Sequence, residues 1–390
     1  MDKKLTKEKY MKKALIIATV GSFIAGFELN DVKLLQEMEY EVHGAADFSS
    51  ISSDRQEMLK SSKMICHQIS FSRNPFKKQT LLAYKKLKKL MDNEKFDLVH
   101  CHTPVGGVVA RLASRKFRKK GLKVIYTAHG FHFFKGAPVF NWLFFYPIEK
   151  ICARFTDVLI TINYEDFERA KKRFHAKRVE HIPGVGINLK EVEKMYTNST
   201  SIRKEIRSEL HIPNDAIVLL SVGELNKNKN HMVIINALAT LKDKIPGIYY
   251  LIAGDGPQKE ELQSYINKNE LSNRIFLLGF RTDVLKLCRA ADIFCFPSLR
   301  EGLGMAALEA MACGLPLITS NVHGINDYSI NGKSGYKCNP RDIKEFSNAI
   351  DKLCNDPERR MAFGGYNRKQ VKNYDITIVS KQMEKIYKSI

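Results

Sequence analysis

Residues 297–316 read Pro297-Ser298-Leu299-Arg300-Glu301-Gly302-Leu303-Gly304-Met305-Ala306-Ala307-Leu308-Glu309-Ala310-Met311-Ala312-Cys313-Gly314-Leu315-Pro316. Two carboxylates, Glu301 and Glu309, bracket an apolar run of helical composition. Gly302 and Gly304 precede that run, and Gly314 with Pro316 ends it as a C-terminal glycine and breaker do. The pattern predicts a helix beginning near Leu303, with Glu309 in its second turn and Glu301 on the loop ahead. The first turn of such a helix offers unpaired N–H groups and a partial positive charge, which suits a phosphate. Glycines there let a ligand approach the backbone. Ser298, Gly302, Leu303, Gly304 and Met305 are the expected donor-binding positions of this loop, and the two carboxylates are placed to bind hydroxyls on either side of the phosphate. A phosphate with hydroxyl-bearing groups on both sides describes a nucleotide sugar. Two solvated glutamates on a surface helix are the plain alternative for an isolated pair.

The whole string is more specific than the pair. Pro-Ser, Glu-Gly-Leu-Gly and then Leu-Glu-Ala-Met-Ala-Cys-Gly-Leu-Pro-Leu-Ile-Thr-Ser closely resemble the donor-site motif of the family-4 retaining glycosyltransferases, of the bacterial surface and capsular polysaccharide type. The resemblance implies the GT-B fold: two Rossmann-like, doubly wound parallel-sheet domains facing a cleft. It runs through nearly everything from residue 11 on and is most specific over residues 216–340.

At 390 residues the chain has the length for two domains. Its net charge of +21 favours anionic partners. Eight cysteines without C-x-x-C pairs fit reduced thiols better than a disulfide framework or zinc site. No uncharged apolar run reaches the roughly 18 residues of a membrane span. Lys12-Lys13 ahead of the apolar stretch Ala14–Phe27 imitates a signal peptide. The strand-like Leu15-Ile16-Ile17, the missing A-x-A site and a helical pattern over Glu28–Met38 favour a buried first strand instead.

Strands and helices alternate along the chain, as in a parallel doubly wound sheet. Residues 1–10 form a charged leader. Strands are expected at Ala14–Val20, Glu41–Ala45, Phe96–Cys101, Lys123–Thr127 and Asp157–Ile162, with a basic amphipathic helix at Phe76–Met91. His181-Ile182-Pro183-Gly184-Val185-Gly186 reads as the exit from a first domain spanning 11–185, the acceptor side by resemblance. A polar stretch, Glu191–Ser208, opens the nucleotide-sugar domain, 186–372. Its strands are expected at Ala216–Val222, Ile248–Ala253, Arg274–Leu278, Asp292–Phe296 and Leu315–Thr319, and its closing helices at 341–354 and 357–372. The segment 373–390 is expected to hold a helix that returns to the first domain.

Transfer from a nucleotide sugar requires stabilising a departing diphosphate and an oxocarbenium-like carbon. No two aspartates stand at i and i+2, so the metal-holding Asp-x-Asp of another transferase class is missing. No metal and no other cofactor are expected, and the positive charge falls to side chains and a helix terminus. Relatives carry an arginine after a strand and a lysine five residues later, both reaching the diphosphate. Here Lys229 matches the lysine, while Glu224 stands in the arginine's place; Lys227 is a candidate substitute, or Glu224 orients Lys229. Gly223 belongs to the same loop. His129, in Thr127-Ala128-His129-Gly130, is by resemblance the residue reaching the donor sugar and reaction centre. With Glu301 and Lys229 it makes the catalytic set the resemblance implies. His100 and His102 follow the preceding strand and stand open between packing and acceptor contact. Gly21–Gly26 reads as the first strand–helix turn, and Gly21, Ser22 and His102 are assigned to the acceptor and phosphate loop. Gly254, Gly256 and Phe280 are expected around base and ribose.

Between Lys77 and Lys123 stand fourteen Lys/Arg and three Asp/Glu. With the aromatic run from Phe131 to Tyr146, this suits an anionic membrane surface; a solvated helix face over core aromatics is the alternative. No nucleic-acid module is recognisable, and no nucleic-acid partner is expected. The expectation is a metal-independent retaining hexosyltransferase, cytoplasmic and peripheral at the inner face of the cell membrane. Its donor is UDP-linked, its acceptor a saccharide on a polyprenyl diphosphate. By resemblance the acceptor hydroxyl attacks on the face the diphosphate leaves, and the departing phosphate takes its proton. A sugar-nucleotide epimerase or phosphorylase of the same fold, or a non-catalytic GT-B subunit, are the alternatives.

Overall fold

The computed structural model describes residues 11–72, 77–195 and 199–390. The chain divides into two compact units. Residues up to Val185, with Val379–Ile390, form the first; Gly186–Ile378 form the second. The expected leader, residues 1–10, lies outside the described residues, as does Phe76, the expected start of the basic helix.

The first unit is built on seven parallel strands: β1 Lys13–Val20, β2 Glu41–Asp47, β3 Ile65–Gln68, β4 Leu98–His102, β5 Lys123–Ala128, β6 Val158–Thr161 and β7 Arg178–His181. Their order is β3-β2-β1-β4-β5-β6-β7. The second unit has six parallel strands: β8 Ile217–Val222, β9 Ile248–Ala253, β10 Ile275–Gly279, β11 Ile293–Phe296, β12 Leu317–Ser320 and β13 Gly335–Cys338, ordered β10-β9-β8-β11-β12-β13. In both, the order reverses between two central strands, β1 and β4 or β8 and β11, and it is outside the carboxyl ends of such strands that doubly wound sheets bind ligands. Strands covered on both faces must be apolar throughout. Leu15, Ile16 and Ile17 of β1 and Leu219 and Leu220 of β8 are accordingly fully buried.

Two local readings change. Gly21–Gly26 is not an open turn: Gly21–Phe23 is helical and Ile24–Glu28 is a π-helical turn, running into a helix at Leu29–Glu37. A Cβ on Gly21 would lie 2.2 Å from Phe48 Cδ1, so this glycine answers close packing against Phe48. The wide π turn brings Glu28 to the buried side. The polar stretch after Glu191 carries helices, Leu189–Lys194 and Ser199–Glu209. The second helix is anchored by a buried arginine. The Arg207 guanidinium donates to the carbonyls of Pro213, Asn214, Ala216 and Ala290 and to Asp292. Arg203 pairs with the same aspartate at 2.8 Å. β3, β7 and β13 are further strands, short or at sheet edges, where periodicity is weakest.

Arg207→Ala leaves four carbonyls short of a donor and removes one of the two guanidinium partners of Asp292. The second unit should lose about 3 kcal/mol in urea unfolding, as expected when one partner of a buried ion pair is removed; a loss under about 0.5 kcal/mol would show that the arginine merely fills space.

Candidate functional site

In the second unit the chemistry-bearing residues gather at the ends of β8 and β11. The chain leaves β8 at Gly223 and turns through 224–230 into the His231–Leu241 helix. Asn230, at φ 55°, makes the reversal and spends its side-chain amide on the carbonyls of Pro297 and Pro340. Asn228 donates to Arg300 O, and Leu299 N donates to Asn228 O at 2.7 Å. The two loops are therefore stitched together, Lys229 beside Glu301. The Lys229 ammonium is 2.8 Å from Glu301 Oε2 and 5.0 Å from the centre of the Phe296 ring. Both side chains are about one-fifth exposed, at 20% and 18%.

Close backbone approach sets this loop. A Cβ on Gly254 would meet Gly223 O at 1.9 Å, and one on Gly256 would meet Leu225 O at 2.6 Å. Only glycine lets the ends of β8 and β9 touch there, so these two glycines are explained by packing before any ligand is considered. Phe280 is 74% exposed.

The helix after Glu301 spans Met305–Ala312, two residues later than the sequence suggests. Gly304 causes the delay. It is the N-cap residue at φ 93°, in the left-handed region, and a Cβ would strike Phe296 Cε1 at 2.5 Å. Leu303 is buried, and so is Ser298, whose hydroxyl has no hydrogen-bond partner among the described residues. The Tyr328 hydroxyl, 3.0 Å from where that Cβ would stand, is buried and unpartnered in the same sense. Tyr328 was not foreseen; its segment carries no motif. Glu309 sits in the second turn, where burial, with Glu191 adding repulsion, raises its carboxyl to about 7.

Glu224 does not orient Lys229. It is exposed and accepts the Asn226 side-chain amide at 2.8 Å, while Lys229 turns to Glu301. Lys227 is exposed on the same turn. The loop thus holds one lysine against an acidic partner and offers a second to solvent.

The first unit has its own cluster at the ends of β4 and β5. Thr103, held at φ 63°, receives Thr19 N at 3.1 Å and lies 2.7 Å from the Thr19 hydroxyl, tying the ends of β1 and β4 together. His102 is buried, with Nδ1 3.2 Å from His129 Nε2 and 3.2 Å from Glu28 Oε1. His100 lies between the Tyr387 hydroxyl and Thr127, each at 2.8 Å. His100 is therefore a packed, satisfied residue, whereas His102 lines a small cavity with Glu28, Asp31 and His129. Burial lowers His129 to about 4 and His102 well below the usual imidazole value, so both are neutral at pH 7. Glu28 escaped the sequence reading; a single glutamate in an apolar stretch was its one signal. Gly21 and Ser22 precede it, Ser22 offering its carbonyl to Arg55.

Two family descriptions match the chain: "Glycosyl transferase 4-like" over residues 17–163 and "Glycosyl transferases group 1" over 202–370. A Bacillus subtilis protein named as a glycosyltransferase, EpsD, is 38% identical over 96% of each chain. The chain belongs to this glycosyltransferase family. The enzyme is also 30% identical to the Escherichia coli UDP-Gal:alpha-D-GlcNAc-diphosphoundecaprenol alpha-1,3-galactosyltransferase, over 83% of this chain and 80% of that one. Anabaena HepE, solved in complex with UDP and glucose, superposes with a TM-score of 0.79 at 19% identity, covering 98% of this transferase and all of HepE. That likeness establishes the GT-B fold.

Ionising a buried Glu309 costs the folded transferase more than the unfolded chain. Its contribution is therefore complete below the ordinary carboxylate value of 4.5 and is lost as pH rises through 7. Glu309→Gln, which cannot ionise, should flatten the pH dependence of thermal stability between pH 4.5 and 7 by about 3 kcal/mol; an unchanged profile would place the carboxylate in water.

Proposed function

We propose that the enzyme transfers a hexosyl group from a UDP-sugar to a saccharide carried on a polyprenyl diphosphate, during assembly of a surface polysaccharide. The observation that carries this reading is the Lys229–Glu301 pair at the head of the Met305–Ala312 helix. Lys229 supplies the cation for the diphosphate, and the N–H groups around Gly304 and Met305 supply the dipole. Glu309 takes the ribose hydroxyls. Glu301 holds Lys229 and takes a sugar hydroxyl. Ser298 and Tyr328 offer hydroxyls, while Gly302, Leu303, Gly223, Gly254 and Gly256 shape the backbone walls. Phe280, which is exposed, is assigned to stack on the base. The role of His129 at the donor sugar, and that of Gly21, Ser22 and His102 towards the acceptor, rest on the family resemblance.

With a lysine and a helix terminus in place, the reaction needs no metal ion to neutralise the leaving diphosphate. The acceptor hydroxyl attacks on the departing side and gives its proton to the leaving phosphate, so neither Glu301 nor Glu309 serves as nucleophile. The E. coli relative, named for a diphosphoundecaprenol acceptor, and the UDP complex of HepE support the substrate classes.

A lipid-borne acceptor brings the enzyme to the inner face of the membrane. Among the described residues no helix is long and apolar enough to cross it. On the first unit, the Lys78–Glu94 helix exposes Leu81 and Leu82 at 58% each beside Lys85, Lys86 and Lys89. The Val139–Ala153 helix exposes Val139, Phe140 and Leu143 at 73%, 66% and 75%. Not all of the basic stretch contributes. Arg111 is buried against Glu149 and Tyr126, and Arg118 is paired with Asp157. Phe131, Phe133 and Phe134 are core.

Thermal protection should identify the donor among UDP- and GDP-sugars. Glu309→Ala should then weaken its binding by about 1.5–3 kcal/mol, and transfer should persist in excess EDTA. Lys227→Ala should slow turnover nearly as much as Lys229→Ala if Lys227 stands in for the missing arginine. Unchanged donor affinity in Glu309→Ala would remove the site assignment; activity restored only by Mg²⁺ or Mn²⁺ would remove the mechanism.

Sedimentation with vesicles tests the membrane reading. Binding should require anionic lipid, fall with salt, and weaken when Lys85, Lys86, Lys88 and Lys89 become Glu, since each basic residue contributes on the order of 1 kcal/mol at an anionic surface. Equal binding to neutral vesicles would count against it.

A further inference from the structure

Glu28, His102 and His129 bring three atoms able to ligate a metal to one point in the first unit, the two ring nitrogens sharing a hydrogen bond when no ion is bound. Glu28 Oε1 is 3.2 Å from His102 Nδ1 and 3.6 Å from His129 Nε2, and the two nitrogens are 3.2 Å apart. Bonds of about 2.0–2.2 Å to tetrahedral zinc space the ligands by about 3.3–3.5 Å, which is the size of this triangle. The Glu28 side chain is 3% exposed, yet its Oε1 receives no hydrogen bond among the described residues. No Lys or Arg pairs with it in the ion pairs of the described residues; its ion-pair partners are His102 and His129, and Asp31 adds a second carboxyl nearby. A buried carboxylate without a cation is costly, and aiming it at two imidazole nitrogens leaves the convergence point without a positive charge.

We propose that Glu28, His102 and His129 form a site for a divalent transition-metal ion of the zinc class. Imidazole and carboxylate are the ligands such ions take. The adjoining cavity, about 30 Å³ and lined also by Asp31 and Thr127, has room for a water as fourth ligand. The π turn at Ile24–Glu28 and the left-handed Thr103 are the local devices that aim Glu28 and His102 inward. The site goes beyond the proposed transfer mechanism, in which no metal takes part, and its inhibitory role rests on that reading of His129. It shares His129 with that chemistry, so a bound ion withdraws His129 and slows transfer: the site is inhibitory.

A second cluster serves as the control. Glu41, His43 and Glu94 also approach one another, but there the Lys13 ammonium already occupies the centre, 3.0 Å from Glu41 and 2.7 Å from Glu94.

The test is titration of Co²⁺ into chelator-treated, dialysed full-length protein, followed by the visible bands of the tetrahedral ion, with Zn²⁺ competition by calorimetry. One equivalent should bind. Glu28→Gln and His129→Gln should each lower affinity beyond the roughly 10–100-fold that outer-shell changes cost. His43→Gln should leave binding unchanged. Absence of stoichiometric binding, or binding indifferent to Glu28→Gln and His129→Gln, would overturn the proposal; circular dichroism of each variant shows that it is folded. The bands report the ion directly, so they stand apart from the donor assignment. If Zn²⁺ restores rather than suppresses transfer after chelation, the metal-free mechanism and the inhibitory role fall and the site remains.

Discussion

A parallel strand buried on both faces has nowhere to put chemistry except its ends. Side chains on its faces are committed to packing, and its N–H and C=O groups to neighbouring strands. Both sheets of this transferase are wholly parallel, so ligand-competent groups concentrate where strand order reverses. Lys229 and Glu301 follow β8 and β11; His102 is the last residue of β4, and His129 follows β5. The two clusters share a plan: a chain leaving a strand is bent by a residue in an unusual conformation, Gly304 or Asn230 in one unit and Thr103 in the other. Holding a threonine in the left-handed region costs on the order of 1–3 kcal/mol, which the Thr19 contacts help offset.

Charge in the interior is handled in two ways. Arg207 and Arg111 are buried with their charges answered, by Asp292 and by Glu149. These arginines are structural, and they show why a count of basic residues overstates a basic surface. Glu28 is the contrary case: a buried carboxylate near two neutral imidazoles, which burial pushes well above the ordinary carboxylate range. Glu309 lies between these extremes, raised to about 7 and partly open. Groups whose ionisation the fold disfavours are the ones a ligand can most readily change; here they stand in the helical segments that follow β1 and β11.

The departure at Glu224 has a limited physical reach. Lys229 is held by Glu301 from the facing loop and by the Phe296 ring beneath it, so it does not depend on what occupies position 224. The Glu224 side chain is spent on Asn226 at the surface.

The sequence by itself determined the architecture, because strand–helix alternation and continuous apolar strands leave few arrangements other than doubly wound sheets. It also marked the Glu301–Glu309 string, whose glycines and end signals are local chain chemistry. The edge strands β3, β7 and β13 stayed illegible, since an edge position makes little apolar demand; the equally short β6, β11 and β12 are buried throughout and were legible as apolar runs. The tertiary structure alone decided which charges meet. Lys229 joins Glu301 across 72 positions, and Glu28 meets His102 and His129 across 74 and 101. Local sequence fixes where a side chain leaves the backbone. Which partner it finds depends on strand order and on a few close approaches, such as Gly254 against Gly223, that exist only once both segments are in place.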